Sequence, residues 1–269
     1  MFIVDTARMA KRGLVALQQR TPLQTPSSDD VKAWTASVRR DGFCVVPAFY
    51  DPSACEHLRG EIDDVADRYP DAVHAMSNGA DRRVFGAECA AEGIRAFAEE
   101  PRLLNAARAV LAGDAANAFT LAGTIAYKNG NLGSGEGWHR DSFFNQFKAI
   151  VYLSDVTEEN GPFEYVTRSH LLRQKFSDHK RYGIPLTNSR IEDAAVRKII
   201  SAEPDRRRIF TASMGTLLLV DTTGIHRGRP LKSGQRFALT NYYFPGRAFG
   251  PKLFAHFRPV LGLHVPVQT

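Results

Sequence analysis

The N-terminal part of the chain has apolar positions at helical spacing, separated by short turn signals. The segment TPLQTPSSDD is typical of a linker that ends in a helix cap, and Asp51-Pro52 gives an N-cap followed by proline at the first helical position. The β-branched segment GFCVVPAFY, over 42–50, alternates and predicts a short strand. The apolar spacing predicts four helices, over 30–41, 51–69, 89–99 and 101–113.

From residue 117 onward the apolar positions change to a period of two. Short strands separated by Gly, Asn, Pro and charged turns are typical of a sandwich or barrel. The predicted strands are AFTLAGTIAYK, FKAIVYLSDV, FEYVTRSH, RRIFTA, GTLLLVD and QRFALTNYYFP. An insertion at 171–205 breaks the rhythm, being polar and basic at first and then helical in IEDAAVRKIISA. A long insertion between barrel strands predicts a lid or binding loop.

These patterns predict a mainly β fold with flanking helices, organised as a jelly-roll barrel. We expect an N-terminal segment, 1–28, that is loosely ordered or packs on its own domain, with a basic amphipathic helix at a membrane surface as the alternative. A single domain, 29–269, would follow. It would consist of a helical part over 29–115 and a jelly-roll core over 116–247 that carries the lid at 171–205.

Composition narrows the range of functions. The 269-residue chain has 35 basic and 29 acidic residues, a formal charge of +6, which favours anionic substrates but does not single out nucleic acid. Neither a zinc-finger spacing nor an RNA-binding aromatic signature is present, so no nucleic-acid partner is expected. The cysteines Cys44, Cys55 and Cys89 are odd in number, which favours a reducing, cytoplasmic location. No stretch of the sequence has the length and apolarity of a transmembrane segment.

The segment GEGWHRDSFF carries the most specific chemistry. His139 and Asp141 are two positions apart, so in an extended segment both side chains point to the same face. His226, just beyond the apolar strand GTLLLVD, would supply a third ligand. Two histidines and one carboxylate on one face of an octahedron leave three positions open, which suits iron(II) that also binds a keto acid and O₂. A surface ion pair between His139 and Asp141, with His226 as an ordinary loop histidine, is the alternative.

Arg236 follows His226 by ten positions, in the alternating strand GQRFALTNYYF. A guanidinium that projects into a barrel binds the far end of a dicarboxylate with two parallel hydrogen bonds, although a salt bridge at the barrel edge is an alternative. Tyr127 and Lys128 end a strand that should run beside the metal, which makes them further candidate contacts for cofactor or substrate. The basic residues of the insertion, with Arg206-Arg207-Arg208, are either a solvated turn or a mouth for an anionic substrate.

The stretch from Trp138 to Phe244 resembles the phytanoyl-CoA dioxygenase family of iron(II)/2-oxoglutarate oxygenases. The resemblance rests on WHRD, LSDVTEENGPFEYVTRSH and HRGRPLKSGQRFALTNYYF, and with GFCVVPAFYDP it covers residues 30–245. It implies a double-stranded β-helix, with His139, Asp141 and His226 as iron ligands and Arg236 as the 2-oxoglutarate anchor. The chain departs from the family pattern in two places, having Thr-Arg-Ser-His where Pro-Gly-Ser-His is usual and Ile150 where an aromatic is common.

The expected function is therefore an iron(II)-dependent oxygenase that uses 2-oxoglutarate and O₂ to hydroxylate a small organic molecule, releasing succinate and CO₂. Because relatives that halogenate carry a small residue in place of the aspartate, Asp141 favours hydroxylation. A metal-dependent hydrolase or isomerase on a cupin-like barrel, and a non-catalytic relative, are the alternatives. The candidate substrates are anionic molecules, natural products and sugar- or acyl-containing compounds, and desaturation, epimerisation and ring formation are the alternatives to hydroxylation.

Overall fold

A computed structural model of the chain describes residues 28–144, 146–248 and 263. Six α-helices lie in the described residues, four before the main run of strands and two within the insertion. Their bounds are α1 Asp29–Asp41, α2 Pro52–Arg68, α3 Glu92–Ala98, α4 Pro101–Leu111, α5 Leu172–Tyr182 and α6 Asp193–Ala202. The predicted segment 1–28 lies almost entirely outside the described residues.

Ten strands lie in the same part of the chain. Their bounds are β1 Phe43–Val46, β2 His74–Met76, β3 Asp81–Phe85, β4 Ala115–Ala126, β5 Phe147–Tyr152, β6 Phe163–Val166, β7 Arg207–Phe210, β8 Leu217–Asp221, β9 His226–Gly228 and β10 Gln235–Pro245. They form a seven-stranded sheet in the order β1-β8-β5-β10-β4-β3-β2 and a three-stranded sheet in the order β7-β6-β9, and the strand pairs are antiparallel.

Local sequence signals explain where the first helices begin. The hydroxyl of Ser28 accepts a hydrogen bond from the backbone N–H of Val31, and the carboxylate of Asp51 accepts one from Ala54. Proline at position 52 has no N–H to lose at the first helical position. The apolar faces of these helices pack on the large sheet through a core that includes Val31, Leu58, Ile62, Leu103, Phe147 and Leu219.

Two elements of the large sheet were not predicted. Strands β2 and β3 extend the sheet beyond β4, and β3 pairs with β4 from Asp81↔Ile125 to Phe85↔Leu121. The sequence of β3, DRRVF, lacks the alternation of apolar and polar residues expected of a strand, because the inward-facing side chains of Asp81 and Arg83 are charged and line an interior cavity. A search for apolar alternation therefore misses this strand.

Two boundaries also differ from the predictions. The predicted strand over 42–50 ends at Val46, because Phe49 and Tyr50 turn back and donate hydrogen bonds to the carbonyl of Gly215. The helix expected over 89–99 begins only at Glu92, after a short 3₁₀ turn at Ala87–Cys89.

The first half of the insertion is helical, contrary to the expectation of a polar loop. Helix α5 buries Lys175 and Asp178 rather than apolar side chains, so its sequence lacks a hydrophobic stripe. Asp178 is fully buried and forms a two-pronged ion pair with Arg206, with both N···O distances at 2.8 Å. This ion pair ties α5 to the 3₁₀ turn at Pro204–Arg206.

No helix in the described part of the chain combines the length and apolarity needed to span a membrane. Cys44, Cys55 and Cys89 are all free thiols.

Candidate metal centre and cofactor cavity

The two predicted histidine ligands lie side by side because their backbones pair directly. His139 N–H donates to the carbonyl of His226, and His226 N–H donates to the carbonyl of His139, both at 2.9 Å. This antiparallel bridge at the start of β9 places the two side chains on one face. Their ring centroids are 4.3 Å apart.

Both imidazoles present Nε2 to the shared space. Nδ1 of His139 lies 2.8 Å from the carbonyl of Gly137, and Nδ1 of His226 lies 3.0 Å from the carbonyl of Gly224. A ring nitrogen that faces a carbonyl carries the proton, so Nε2 of each neutral ring keeps its lone pair for a metal. Gly135, at φ +81°, permits this packing, because a Cβ there would overlap the ring of His139.

Asp141 completes the group from the same segment as His139. Its backbone N–H donates to the carbonyl of Thr222 at 3.1 Å, which fixes the segment beside the end of β8. Oδ1 lies 3.6 Å from Nε2 of His139, and Oδ2 lies 3.8 Å from Nε2 of His226. One donor atom from each of the three residues lies within 4.8 Å of the others. The structure thus brings together the three residues that the sequence selected.

The electrostatics of the three groups keep them in metal-binding protonation states. The pKa of His226 is lowered to about 3, mainly by burial and secondly by the charge of His139. Burial also lowers the pKa of His139. Burial alone would raise the pKa of the Asp141 carboxyl, but Lys148 and the two imidazoles outweigh it, so that pKa lies below its usual value. At neutral pH the site therefore offers two neutral imidazoles and one carboxylate.

This donor set fits iron(II). Two imidazole nitrogens and one carboxylate oxygen on one face form the 2-His-1-carboxylate arrangement of non-haem iron oxygenases, which leaves further positions for a keto acid and O₂. Structural zinc sites instead have four protein ligands, and the described residues around the triad contribute no fourth histidine, cysteine or carboxylate to the group.

The triad opens into a cavity of about 140 Å³ between the two sheets. Its walls come from inward-facing positions of β4, β5 and β10 on the large sheet and of β6 and β9 on the small one. The alternation on β5 and β10 decides which side chains enter, and these are Lys148, Ile150, Tyr152, Arg236, Ala238, Thr240 and Tyr242. Ile150, which stands where the family often has an aromatic, is therefore a wall of this cavity.

Arg236 reaches the cavity from the start of β10. Its side chain is buried, and its Nη1 atom has no hydrogen-bond partner among the described residues. The guanidinium lies 6.0 Å from the centroid of the Tyr152 ring. The two carboxylates that line the cavity, Asp81 and Asp141, pair instead with Arg83 and Lys148. Arg236 is thus available to bind an anion that enters the cavity.

Tyr127 and Lys128 lie just outside this cavity. Tyr127 is 50% exposed, and Nζ of the exposed Lys128 is 3.5 Å from the carbonyl of Asn78. The described lining includes Ile125, two positions before Tyr127, but neither of these two residues. Their cofactor contacts, predicted from the sequence, are not supported by their positions.

Sequence reasoning missed the other charged groups of the cavity. Nζ of Lys148 lies 2.7 Å from Oδ2 of Asp141, and the guanidinium of Arg83 pairs with Asp81 at 2.5 Å while also donating to the hydroxyl of Ser134 at 3.0 Å. A lysine in phase with Ile150 and Tyr152 inside the apolar strand FKAIVYL was a signal that could have identified Lys148.

Three of the basic residues proposed for the mouth have internal partners. Arg206 is buried against Asp178, and Arg207 pairs with the fully buried Glu164 at 2.6 Å. Lys175 is buried and donates to the carbonyl of Phe143 at 2.6 Å. These contacts make the three residues supports of the insertion and the small sheet, so they do not form a basic mouth.

Comparison with known proteins agrees with this geometry. Residues 38–238 match the family described as phytanoyl-CoA dioxygenase (PhyH). Among curated proteins, no sequence matches the chain significantly.

Several solved structures share the fold. The epimerase SnoN in complex with Fe³⁺, alpha-ketoglutarate and nogalamycin RO is 19% identical, covers 80% of this chain and 84% of its own, and has a TM-score of 0.61. HygX from Streptomyces hygroscopicus with nickel, 2-oxoglutarate and hygromycin B bound is 19% identical, with coverages of 80% and 87% and a TM-score of 0.54. EctD from S. alaskensis with bound Fe is 15% identical, with coverages of 84% and 79% and a TM-score of 0.63.

At these identities the structural likeness establishes the fold, a double-stranded β-helix with flanking helices, as the sequence predicted. The family match spans the segments that contribute all three metal ligands. The chain therefore belongs to the phytanoyl-CoA dioxygenase family of iron- and 2-oxoglutarate-dependent dioxygenases.

Proposed function

We propose that this dioxygenase hydroxylates a small organic substrate that carries an anionic group. The observation that carries the proposal is the charge of one cavity, where the metal triad and an arginine without a carboxylate partner lie together. The charges of iron(II) and 2-oxoglutarate cancel each other, so an anionic substrate would balance the positive charge that the protein brings to the cavity.

Arg236 is proposed as the anchor of 2-oxoglutarate. When bound, iron(II) would chelate the keto-acid end, and a planar guanidinium matches the carboxylate at the far end with two parallel hydrogen bonds. The buried Nη1 atom of Arg236 would gain the acceptor that it lacks.

The charge balance supports an anionic substrate. Arg83, Lys148 and Arg236 bring three positive charges to the cavity lining, and Asp81 and Asp141 bring two negative ones. Iron(II) adds two positive charges and 2-oxoglutarate removes two, so the loaded cavity keeps one net positive charge. Since an uncompensated charge in a buried cavity is costly, a substrate with one anionic group would bind best.

Hydroxylation is favoured by the third ligand. The Asp141 carboxylate occupies the position that halogenating relatives keep small, so transfer of oxygen to the substrate is the expected outcome. The cavity's apolar walls, from residues such as Ile150 and Phe163, would exclude water from the reacting carbon.

The first experiment is anaerobic addition of iron(II) and then 2-oxoglutarate to the protein, followed by visible spectroscopy. We expect the weak charge-transfer band of the chelate in the wild type and its loss in His226→Ala. A retained band in the variant, or no band in the iron-loaded wild type, would contradict the cofactor assignment. A hydrolase or isomerase would instead turn over without O₂ and 2-oxoglutarate.

The substrate class is tested by a succinate-release screen of paired compounds. Each pair is a carboxylate with its neutral amide or methyl ester, or a phosphate monoester with its neutral dimethyl triester. We expect turnover for the anionic member of a pair and a product heavier by one oxygen atom. Equal turnover of the neutral members would refute the anionic class, and a product of unchanged or lower mass would refute hydroxylation.

A further inference from the structure

Lys148 is an unusual residue for its position. It lies in β5, between β8 and β10 in the middle of the large sheet, where its neighbours Phe147 and Ala149 are fully buried. Its side chain is buried on the cavity side, and its ammonium lies 2.7 Å from Oδ2 of the metal ligand Asp141. A buried cation beside a metal ligand repels the metal, so a role other than packing is needed to explain it.

The surroundings hold this ammonium in place. Lys148 is paired across the strands with Tyr242 of β10, and Nζ lies 4.0 Å from the centroid of that ring. The cation–π contact and the ion pair fix the side chain from two directions. The lysine therefore has little freedom to withdraw when a metal binds to Asp141.

The contact makes the two oxygens of Asp141 unequal. Oδ2 accepts the lysine hydrogen bond and lies 3.8 Å from Nε2 of His226, and Oδ1 lies 3.6 Å from Nε2 of His139. The charged hydrogen bond occupies one lone pair of Oδ2 and draws negative charge toward the lysine, so Oδ1 is the stronger donor to a metal. Without the lysine, the carboxylate could rotate and bind through both oxygens, as carboxylates often do.

We propose that Lys148 is a positioning residue that restricts Asp141 to binding the metal through a single oxygen, so that three metal positions stay open. When iron is bound, two of these positions would serve the keto acid and one would serve O₂. The same charge weakens metal binding and strengthens binding of the doubly negative 2-oxoglutarate. This inference concerns the cofactors of the family and does not depend on which substrate the enzyme uses.

The two charge effects have opposite signs, and this makes the role testable. A unit charge within roughly 5 Å of a divalent ion, at an effective dielectric between about 20 and 80, changes an affinity by at least about tenfold. Lys148→Met should therefore bind Mn(II) at least about tenfold more tightly and, once loaded with Mn(II), bind 2-oxoglutarate at least about tenfold more weakly. Loss of folding or of packing would weaken both affinities together.

The experiment uses the full-length protein and Mn(II), whose free form is counted directly by electron paramagnetic resonance. Calorimetry then gives the affinity of the Mn(II) protein for 2-oxoglutarate. Lys148→Arg keeps the charge and should stay near the wild type in both measurements. Lys232→Met removes a lysine that pairs with Glu159 at the surface, and this matched control should change neither.

Line broadening of the Mn(II) signal by ¹⁷O-labelled water gives the number of bound waters before 2-oxoglutarate is added. Single-oxygen binding by Asp141 predicts three waters in the wild type, and two-oxygen binding in Lys148→Met predicts two. Equal water counts would overturn the positioning role, and affinities that change in the same direction, or not at all, would overturn the charge effect. If Lys148→Met fails to fold, Lys148→Gln provides the same loss of charge with a polar side chain.

Discussion

Replacing Arg236 with methionine should abolish tight binding of 2-oxoglutarate while leaving the metal site intact. Methionine has a similar length and no charge, so the wall of the cavity keeps most of its shape. The guanidinium has no partner in the triad, because Lys148 is the cation that pairs with Asp141. The expected loss is therefore confined to the far end of the keto acid.

The magnitude follows from the hydrogen bonds that the guanidinium would form. A hydrogen bond to a charged group contributes about 1.5–3 kcal/mol, and a two-pronged pair would contribute at least about 3–4 kcal/mol. Since each 1.4 kcal/mol is a factor of ten, the dissociation constant should rise roughly 100- to 1,000-fold. Arg236→Lys keeps the charge without the fork and should lose less, on the order of tenfold.

The same substitution should leave the stability of the ligand-free protein unchanged or increase it, although it weakens binding of 2-oxoglutarate. Nη1 of Arg236 is buried without a partner, and a buried unsatisfied donor costs about 1–3 kcal/mol. Arg236→Met should thus unfold at an unchanged or higher temperature than the wild type when no ligand is present.

Thermal unfolding of the Mn(II) protein over a series of 2-oxoglutarate concentrations measures both effects. The wild type should gain stability with ligand according to its dissociation constant, and Arg236→Met should gain almost none. Arg197→Met, which removes an arginine that is 70% exposed on α6, is the matched control. A normal ligand response in Arg236→Met would show that another group anchors the keto acid.

Three further predictions concern the metal ligand and the buried charges of the insertion. Asp141→Ala should lose most Mn(II) affinity in a calorimetric titration and all oxygenase turnover, and full activity would show that this carboxylate is not a ligand. Burial lowers the pKa of Lys175 to about 7. Between that pH and about 10.4 the unfolded chain binds more protons than the folded one, so the free energy of unfolding should rise by about 1.4 kcal/mol per pH unit relative to Lys175→Met. If urea denaturation gave the wild type and Lys175→Met the same dependence on pH, the lowered pKa would be refuted. Arg206→Met leaves the buried carboxylate of Asp178 without a cationic partner, although Gln174 still donates a hydrogen bond to it at 2.9 Å. The free energy of unfolding in urea should fall by about 3–5 kcal/mol, and the double variant Arg206→Met with Asp178→Leu should restore much of it. A cost below about 1 kcal/mol would show that water already screens the ion pair.

The metal triad could be predicted from sequence because its spacing follows from local geometry. In an extended segment, positions two apart share a face, and this fixed His139 and Asp141 before any fold was known. His226 was reached through the family resemblance and its place after an apolar strand. The direct backbone pairing of the two histidines could not be foreseen, because it depends on how two distant segments meet.

The failures to predict β3 and α5 share one physical cause. Strand β3 and helix α5 turn charged side chains inward, toward the cavity and toward Arg206, so neither shows the apolar periodicity by which strands and helices are recognised. Tyr127 and Lys128 were selected because their strand passes the metal. Strand β4 lines the cavity as far as Ile125 and ends at Ala126, and the exposed Tyr127 and Lys128 lie beyond this lining. A prediction from pattern alone is weakest where the interior is polar.

The partners of each buried charge indicate whether the residue stabilises the fold or serves the functional site. Glu164 is fully buried and held by both Arg207 and Arg227, at 2.6 and 2.7 Å, so its charge is already balanced within the small sheet. In the cavity, by contrast, Nη1 of Arg236 has no hydrogen-bond acceptor, and Lys148 pairs with Asp141, the carboxylate that would also bind the metal. A protein that gained only stability from these residues would do better with apolar ones, since burying a charge costs more than burying a methyl group. In the proposed function, iron, 2-oxoglutarate and an anionic substrate would supply the missing partners.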